Sequence, residues 1–231
     1  IDASLDGAYA VDAADIDNDG DIDVIAAGFD ANAIKWYVND GTPNDPNWTA
    51  TTVGTGASSG GAYKPIDVKL ADVDSDGDLD VIGAMFYGHQ VGWWVNDGTP
   101  ADNNWTKWNI ESYNTWRYAS SVYPVDMDGD GDLDVLATAD RNNSGGSDLT
   151  WFVNDGSPGN NDWTKTDIDT DWDGEGDAYP IDMDNDGDMD IVGTSTEDNL
   201  VSWFENNGSQ SFTERTINSS FNYAYSVHAA D

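Results

Sequence analysis

The sequence predicts an all-β chain: a β-propeller-type array of four-stranded antiparallel blades, four repeats present, with room to belong to a larger ring or assembly. Three observations predict it. One unit is written four times, at spacings of 57, 54 and 56 residues. Apolar and aromatic residues alternate with period two, and no segment holds a 3.6-residue period. Turn residues, above all Asn-Asp-Gly, separate the alternating runs.

Each unit is predicted to hold four strands, which in the first span about 8–15, 22–29, 33–39 and 48–53. The first strand runs into an acidic loop. The loops are DIDNDGDID (Asp15, Asp17, Asp19, Asp21, Asp23), DVDSDGDLD (Asp72, Asp74, Asp76, Asp78, Asp80), DMDGDGDLD (Asp126, Asp128, Asp130, Asp132, Asp134) and DMDNDGDMD (Asp182, Asp184, Asp186, Asp188, Asp190). An apolar second strand follows, beginning Val24-Ile25, Val81-Ile82, Val135-Leu136 and Ile191-Val192. The third strand is aromatic: IKWYVNDG, VGWWVNDG, LTWFVNDG, VSWFENNG. The fourth opens on Trp48-Thr49, Trp105-Thr106, Trp163-Thr164 and Phe212-Thr213. Both faces of the third strand carry large side chains, such as Trp36 against Tyr37. A lone four-stranded sheet leaves one face bare, whereas stacked blades cover both, which selects a propeller. A linear β-solenoid or a string of small sandwiches is the alternative. The blades are expected at about 8–57, 58–118, 119–174 and 175–223 of one repeat domain, 1–231, with 1–7 and 224–231 belonging to adjoining blades.

Composition narrows the partners. The formal net charge is −37, so nucleic acid and anionic membrane surfaces are poor partners, no nucleic acid is expected, and cations are favoured. There is no Cys, which removes disulfides and thiolate metal sites. No stretch reaches the roughly 20 apolar residues of a membrane span, so no membrane insertion is expected.

The acidic loops carry the chemistry. Numbered from the first Asp, carboxylates stand at positions 1, 3, 5, 7 and 9, with Gly at 6. A hard divalent cation takes six to eight oxygens at about 2.3–2.6 Å from a loop that turns sharply, and a dense protein cage favours Ca²⁺ over Mg²⁺. With no Cys and two His, zinc and copper are disfavoured. An EF-hand is excluded, because its position 12 needs Glu and here is Ala26, Gly83, Ala137 and Gly193.

These loops and the apolar strand after each resemble the FG-GAP and VCBS repeat families, calcium-binding propeller blades of integrin α-subunit heads, fungal lectins and microbial surface proteins. The resemblance implies about four Ca²⁺ per chain. It further implies side-chain ligands at positions 1, 3, 5 and 9 of every loop, with a backbone carbonyl at 7, so that Asp21, Asp78, Asp132 and Asp188 turn their carboxylates to solvent. Four ions would take the formal charge from −37 to −29, where repulsion is densest.

Other features are read beside these. Trp36, Trp93, Trp151 and Trp203 are expected in the core between blades, whereas Trp108, Tyr113, Trp116 and Trp172 break the repeat and are the better ligand candidates. Asn47, Asn104, Asn142, Asn207 and Asn218 head Asn-x-Ser/Thr sequons. His89 and His228 occupy non-equivalent places, and metal ligation accounts for every well-placed carboxylate pair, so no enzyme is expected. Residues 217–231 repeat 1–15, with Ile217 matching Ile1, Tyr225 matching Tyr9 and Asp231 matching Asp15. The chain therefore reads as a fragment or protomer of something larger, with self-association expected. The function expected is an extracellular or cell-surface calcium-binding module for adhesion or for recognition of a glycan or surface protein. The alternative is a building block of an extracellular fibre or surface layer, associating head to tail with no small ligand.

Overall fold

Among the described residues, sixteen strands form four separate four-stranded sheets, each an antiparallel meander in chain order. The computed structural model describes residues 2–44, 48–55, 63–102, 104–111, 118–140, 148–160, 163–172, 174 and 176–230. The first sheet holds β1 (Ala8–Ala14), β2 (Asp23–Gly28), β3 (Ala33–Val38) and β4 (Thr49–Thr55). The second holds β5 (Pro65–Ala71), β6 (Asp80–Met85), β7 (Gln90–Val95) and β8 (Thr106–Glu111). The third holds β9 (Ala119–Val125), β10 (Asp134–Ala139), β11 (Asp148–Val153) and β12 (Thr164–Asp169), and the fourth β13 (Ala178–Ile181), β14 (Asp190–Ser195), β15 (Leu200–Asn206) and β16 (Phe212–Asn218). No helix among the described residues is long and apolar enough to cross a membrane.

The core lies between sheets. One apolar cluster joins the first sheet to the second through Ile25, Ile34, Trp36, Val81 and Trp94. A second joins the second sheet to the third through Ile82, Trp93, Val135 and Phe152, and another joins the third to the fourth through Leu136, Trp151, Ile191 and Phe204. Across the three interfaces the rule is regular: Trp36, Trp93 and Trp151 enter the following interface, and Trp94, Phe152 and Phe204 the preceding one. Strand alternation produces this, because neighbouring residues point to opposite faces. Trp36, Trp93 and Trp151 are thus core residues, as their phase required. Trp203, on the third strand of the fourth sheet, is half-buried, with the Arg215 guanidinium 5.4 Å from its ring.

The first strands of successive sheets are tied by side chain. Asp12 Oδ2 accepts from Leu70 N at 2.9 Å, and Asp67 Oδ2 accepts from Val122 N at 2.9 Å. Asp177 Oδ2 accepts from Val227 N at 3.2 Å and from Ser226 Oγ at 2.9 Å. The C-terminal segment, 219–230, therefore runs beside β13 as β5 runs beside β1. It also shares the left-handed residue that precedes such a strand: φ is 62° at Gly7, 50° at Lys64, 53° at Tyr118, 92° at Gly174 and 57° at Tyr223.

Candidate metal centre

Each acidic loop joins the first strand of a sheet to the second and folds by the same rule. Position 4 is left-handed (Asn18 φ 60°, Ser75 60°, Gly129 76°, Asn185 62°), and so is the position 6 glycine (Gly20 97°, Gly77 98°, Gly131 99°, Gly187 99°). The turn lets the position 1 carboxylate cap the loop from within. Asp15 accepts from Asp19 N at 3.0 Å and Gly20 N at 2.9 Å, and Asp72 from Asp76 N and Gly77 N, both at 3.0 Å. Asp126 accepts from Gly129 N and Gly131 N at 2.8 and 3.1 Å, and Asp182 from Asp186 N and Gly187 N, both at 3.1 Å.

The carboxylates converge as the spacing suggested, but not identically in every loop. Oxygens of Asp15, Asp17 and Asp19 lie within 4.8 Å of one another, and so do those of Asp72, Asp74 and Asp76. In the third and fourth loops the groups are Asp126, Asp128 and Asp134, and Asp182, Asp184 and Asp190, also within 4.8 Å. Positions 1 and 3 are common to all four groups; the third member is position 5 in two loops and position 9 in the others. Asp130 and Asp186 at position 5, and Asp23 and Asp80 at position 9, stand outside these trios. Position 7 also stands outside. Asp21, Asp78, Asp132 and Asp188 are half-buried, lying over the turn glycine between third and fourth strands, where a Cβ on Gly41 would meet Asp21 Oδ2 at 2.9 Å.

Electrostatics mark position 3. Oδ1 of Asp17 and of Asp74 is buried with no hydrogen-bond partner. Burial, reinforced by neighbouring carboxylates, raises the pKa of Asp17, Asp74, Asp128 and Asp184 above the usual carboxylate range. A buried carboxylate oxygen without a donor costs free energy that a cation would offset. The donor set is oxygen throughout, which suits a hard cation. The residues present fit a divalent ion.

Position 9 does a second job that its spacing alone does not reveal. Asp23, Asp80, Asp134 and Asp190 are fully buried. Asp23 accepts from Ile16 N (3.3 Å), Trp36 Nε1 (2.9 Å) and Asn39 N (2.7 Å); Asp134 accepts from Met127 N (3.1 Å), Trp151 Nε1 (2.9 Å) and Asn154 N (2.8 Å). Asp80 and Asp190 accept from the matching Val73 and Asn96, and Met183 and Asn206. Burial pushes Asp80 up to about 7 and Asp134 up to about 6. The Asn at the end of each third strand is more than the turn residue its Asn-Asp-Gly or Asn-Asn-Gly setting suggests. In fact it fastens the loop: its Nδ2 donates to the position 8 carbonyl, from Asn39 to Ile22 and from Asn206 to Met189, both at 3.1 Å. Asn96 and Asn154 reach further, to the position 2 carbonyl of the preceding loop, Ile16 at 3.2 Å and Val73 at 3.4 Å. The invariant Trp-x-x-Asn within the four aromatic segments was the signal available.

Of the aromatic ligand candidates, Trp172 is corrected. It is 1% exposed and packs on Phe204, ring centroids 5.4 Å apart, in the core between the third and fourth sheets. Trp108 is half-buried and lines a groove of about 510 Å³ with Asp74, Trp93, Thr106, Ser157 and Pro158. Tyr113, Trp116, Asn47 and Asn142 lie outside the described residues. Asn104, Asn207 and Asn218 are exposed.

The FG-GAP-like repeat matches residues 15–83, 72–137, 126–193 and 182–231. No curated protein matches the chain. Among solved structures, the Pseudomonas aeruginosa periplasmic gluconolactonase is similar, with a TM-score of 0.62 at 13% identity over 94% of this chain and 55% of that one. A Bacteroides uniformis protein assigned as a 6-phosphogluconolactonase gives a TM-score of 0.57 at 13% identity, over 93% of this chain and 56% of that one. An α-L-arabinofuranosidase from Lactobacillus brevis gives 0.51 at 13% identity, over 92% and 74%. The chain thus spans little more than half the length of the lactonase structures. The likeness shows the fold, and it corrects one expectation: structures of this architecture include lactonases and a glycosidase, so the lack of a recognisable catalytic set no longer argues that the chain is not an enzyme.

Proposed function

The chain belongs to the FG-GAP-like repeat family, and from that premise we propose that it is a calcium-stabilised β-propeller module acting outside the cell in adhesion or recognition. The buried, unpartnered Oδ1 atoms of Asp17 and Asp74, each set in a trio of carboxylates, carry the metal reading. Ca²⁺ would supply positive charge and oxygen coordination there. The residues that would hold it are the position 1, 3, 5 and 9 aspartates of each loop, Asp15, Asp17, Asp19 and Asp23 in the first. An extracellular setting follows from the millimolar calcium that surface modules of modest affinity use. After exhaustive dialysis against calcium buffer, metal analysis should give about four ions per chain; a value near zero with the fold intact would overturn the assignment.

For the ligand, the groove between the second and third sheets supports a glycan. Trp108 offers an aromatic face, with Thr106 and Ser157 beside it as hydrogen-bonding groups. A glycan array probed with the calcium-loaded chain should give hits that Trp108→Ala loses, and an array blank for both proteins would remove this reading.

A second reading, a self-associating extracellular building block, is favoured by one observation. Residues 219–230 sit against β13 as a first strand of a further sheet would, and Phe221, Tyr223 and Tyr225 are exposed. Such a strand is a template for a neighbouring chain. Light scattering should then report a particle above 24.9 kDa that shrinks when residues 217–231 are deleted. A stable monomer would exclude it.

A further inference from the structure

In this chain eight Lys and Arg face 45 Asp and Glu. Most described cations have a carboxylate partner: Lys35 with Asp2 at 3.3 Å, Lys64 with Asp30 at 3.3 Å, Lys69 with Asp67 at 3.2 Å, Lys165 with Asp167 at 2.7 Å, and Arg215 with Glu205. Among the described residues, Lys107 has none. Its Nζ lies 4.4 Å from the Tyr63 ring centroid and 5.2 Å from that of Trp94. It donates to Gln90 Oε1 and, at 3.4 Å, to Tyr63 Oη.

The repeat explains how this arises. Lys107 on β8 and Lys165 on β12 are equivalent, opposite Trp94 and Phe152 in register. Two residues further on, β12 offers Asp167 to its lysine, where β8 has Asn109. The second blade has the lysine without the carboxylate, and the slot is instead walled by aromatics. Ring faces attract an ammonium, but less strongly than a carboxylate does, and burial removes water from it. The balance pulls the Lys107 pKa down to about 8. The titratable group facing it is the Tyr63 phenol, itself raised by burial; Glu111, further along β8, stands opposite Val91. Lys107 is half-buried rather than sealed.

We propose that Lys107 is an acyl-acceptor site: a nucleophilic amine, set in an aromatic slot beside the interface of the first two sheets, that takes an acyl group from a small activated donor of the acyl phosphate or thioester class. The neutral Nζ attacks the acyl carbonyl carbon, a C–N bond forms, and the bond to the leaving group breaks with its electron pair going to phosphate or thiolate. Nζ releases one proton to solvent, and the product is a neutral amide. This inference is independent of the metal and glycan readings.

The test is site-resolved mass spectrometry of the folded, calcium-loaded chain after brief exposure to acetyl phosphate between pH 6 and 10. Lys107 should acetylate at least about tenfold faster at pH 7.5 than Lys35, Lys64, Lys69 or Lys165, each of which is held by a carboxylate. Its rate should reach half its plateau near pH 8, and its advantage should vanish in urea. Asn109→Asp, an exposed substitution that restores the missing carboxylate, should move that midpoint upward and abolish most of the advantage without lowering the melting temperature. Equal labelling of the five lysines in the folded chain overturns the proposal, and so does an Asn109→Asp chain that labels as fast as the original.

Discussion

Asn96 touches two acidic loops at once. Its Nδ2 donates to Leu79 of its own loop and to Ile16 of the preceding one, both at 3.2 Å, while its Oδ1 accepts from Gly98 N at 3.1 Å. Asn206 makes only the local part of this set. We expect Asn96→Ala to cost about 2–3 kcal/mol and Asn206→Ala about 1 kcal/mol less, because truncation leaves buried backbone acceptors unmet. Urea unfolding of the two variants checks the difference. Asp80 and Asp134 make a second expectation at this scale. Their folded pKa values, about 7 and about 6, lie above the unfolded value near 3.8. A group raised in this way binds its proton more tightly in the folded chain. Its stabilisation is full below the unfolded pKa and is lost as pH climbs through the folded one. In chelator, the melting temperature should therefore fall between about pH 4 and pH 7. In calcium the slope should reverse, because the ligands must be deprotonated to bind. Parallel curves in the two buffers would contradict both the burial argument and the metal assignment.

The loops show how an element can be legible from spacing and still hide its fastenings. Period-two alternation placed β1 to β4 within two residues of their positions, because one strand type recurs four times and each copy constrains the others. The acidic run predicted converging carboxylates, and three of the five in each loop lie together. What spacing did not reveal is that position 9 anchors Trp36 and Asn39 as well as facing the loop, since that depends on where β3 lies in space. Trp172 differs from its expectation for a related reason: it departs from the repeat, yet fills a gap left where Gly193 has no side chain. Two glycines allow the loop's own mechanics to be tested. Gly77 has φ +98° and nothing within 4 Å of its missing Cβ, so Gly77→Ala should cost only the backbone strain, on the order of 1–2 kcal/mol. Gly98 has φ +79° and a Cβ would meet Asp78 Oδ2 at 2.8 Å, while Asp78 Oδ1 is already held by Asn18 Nδ2 at 2.9 Å. Gly98→Ala should therefore cost roughly 1 kcal/mol more, a ranking that paired thermal melts resolve.

Taken as one molecule, the chain concentrates charge on loops that also hold its sheets together. Without an ion, each loop would hold carboxylates a few ångströms apart, a repulsion on the order of 1–4 kcal/mol per pair at near-surface dielectric. Chelation should lower the melting temperature sharply, and calorimetry that finds the same transition with calcium and with chelator would refute this. The repeat and the sheet count were written in the sequence, because each is a local pattern four times over. The ties between sheets were not, since Asp12 to Leu70 and Asn154 to Val73 join residues far apart in the chain through single bonds. Those ties have a consequence for binding itself. Asn96 fastens the first loop to the second, and Asn154 the second to the third, whereas Asn206 makes no such reach. Ordering one loop thus lowers the entropy its neighbour must lose on taking an ion. Calcium should fill the first three sites cooperatively, with a Hill coefficient above one, while the fourth titrates as an independent site, and Asn96→Ala should flatten the curve.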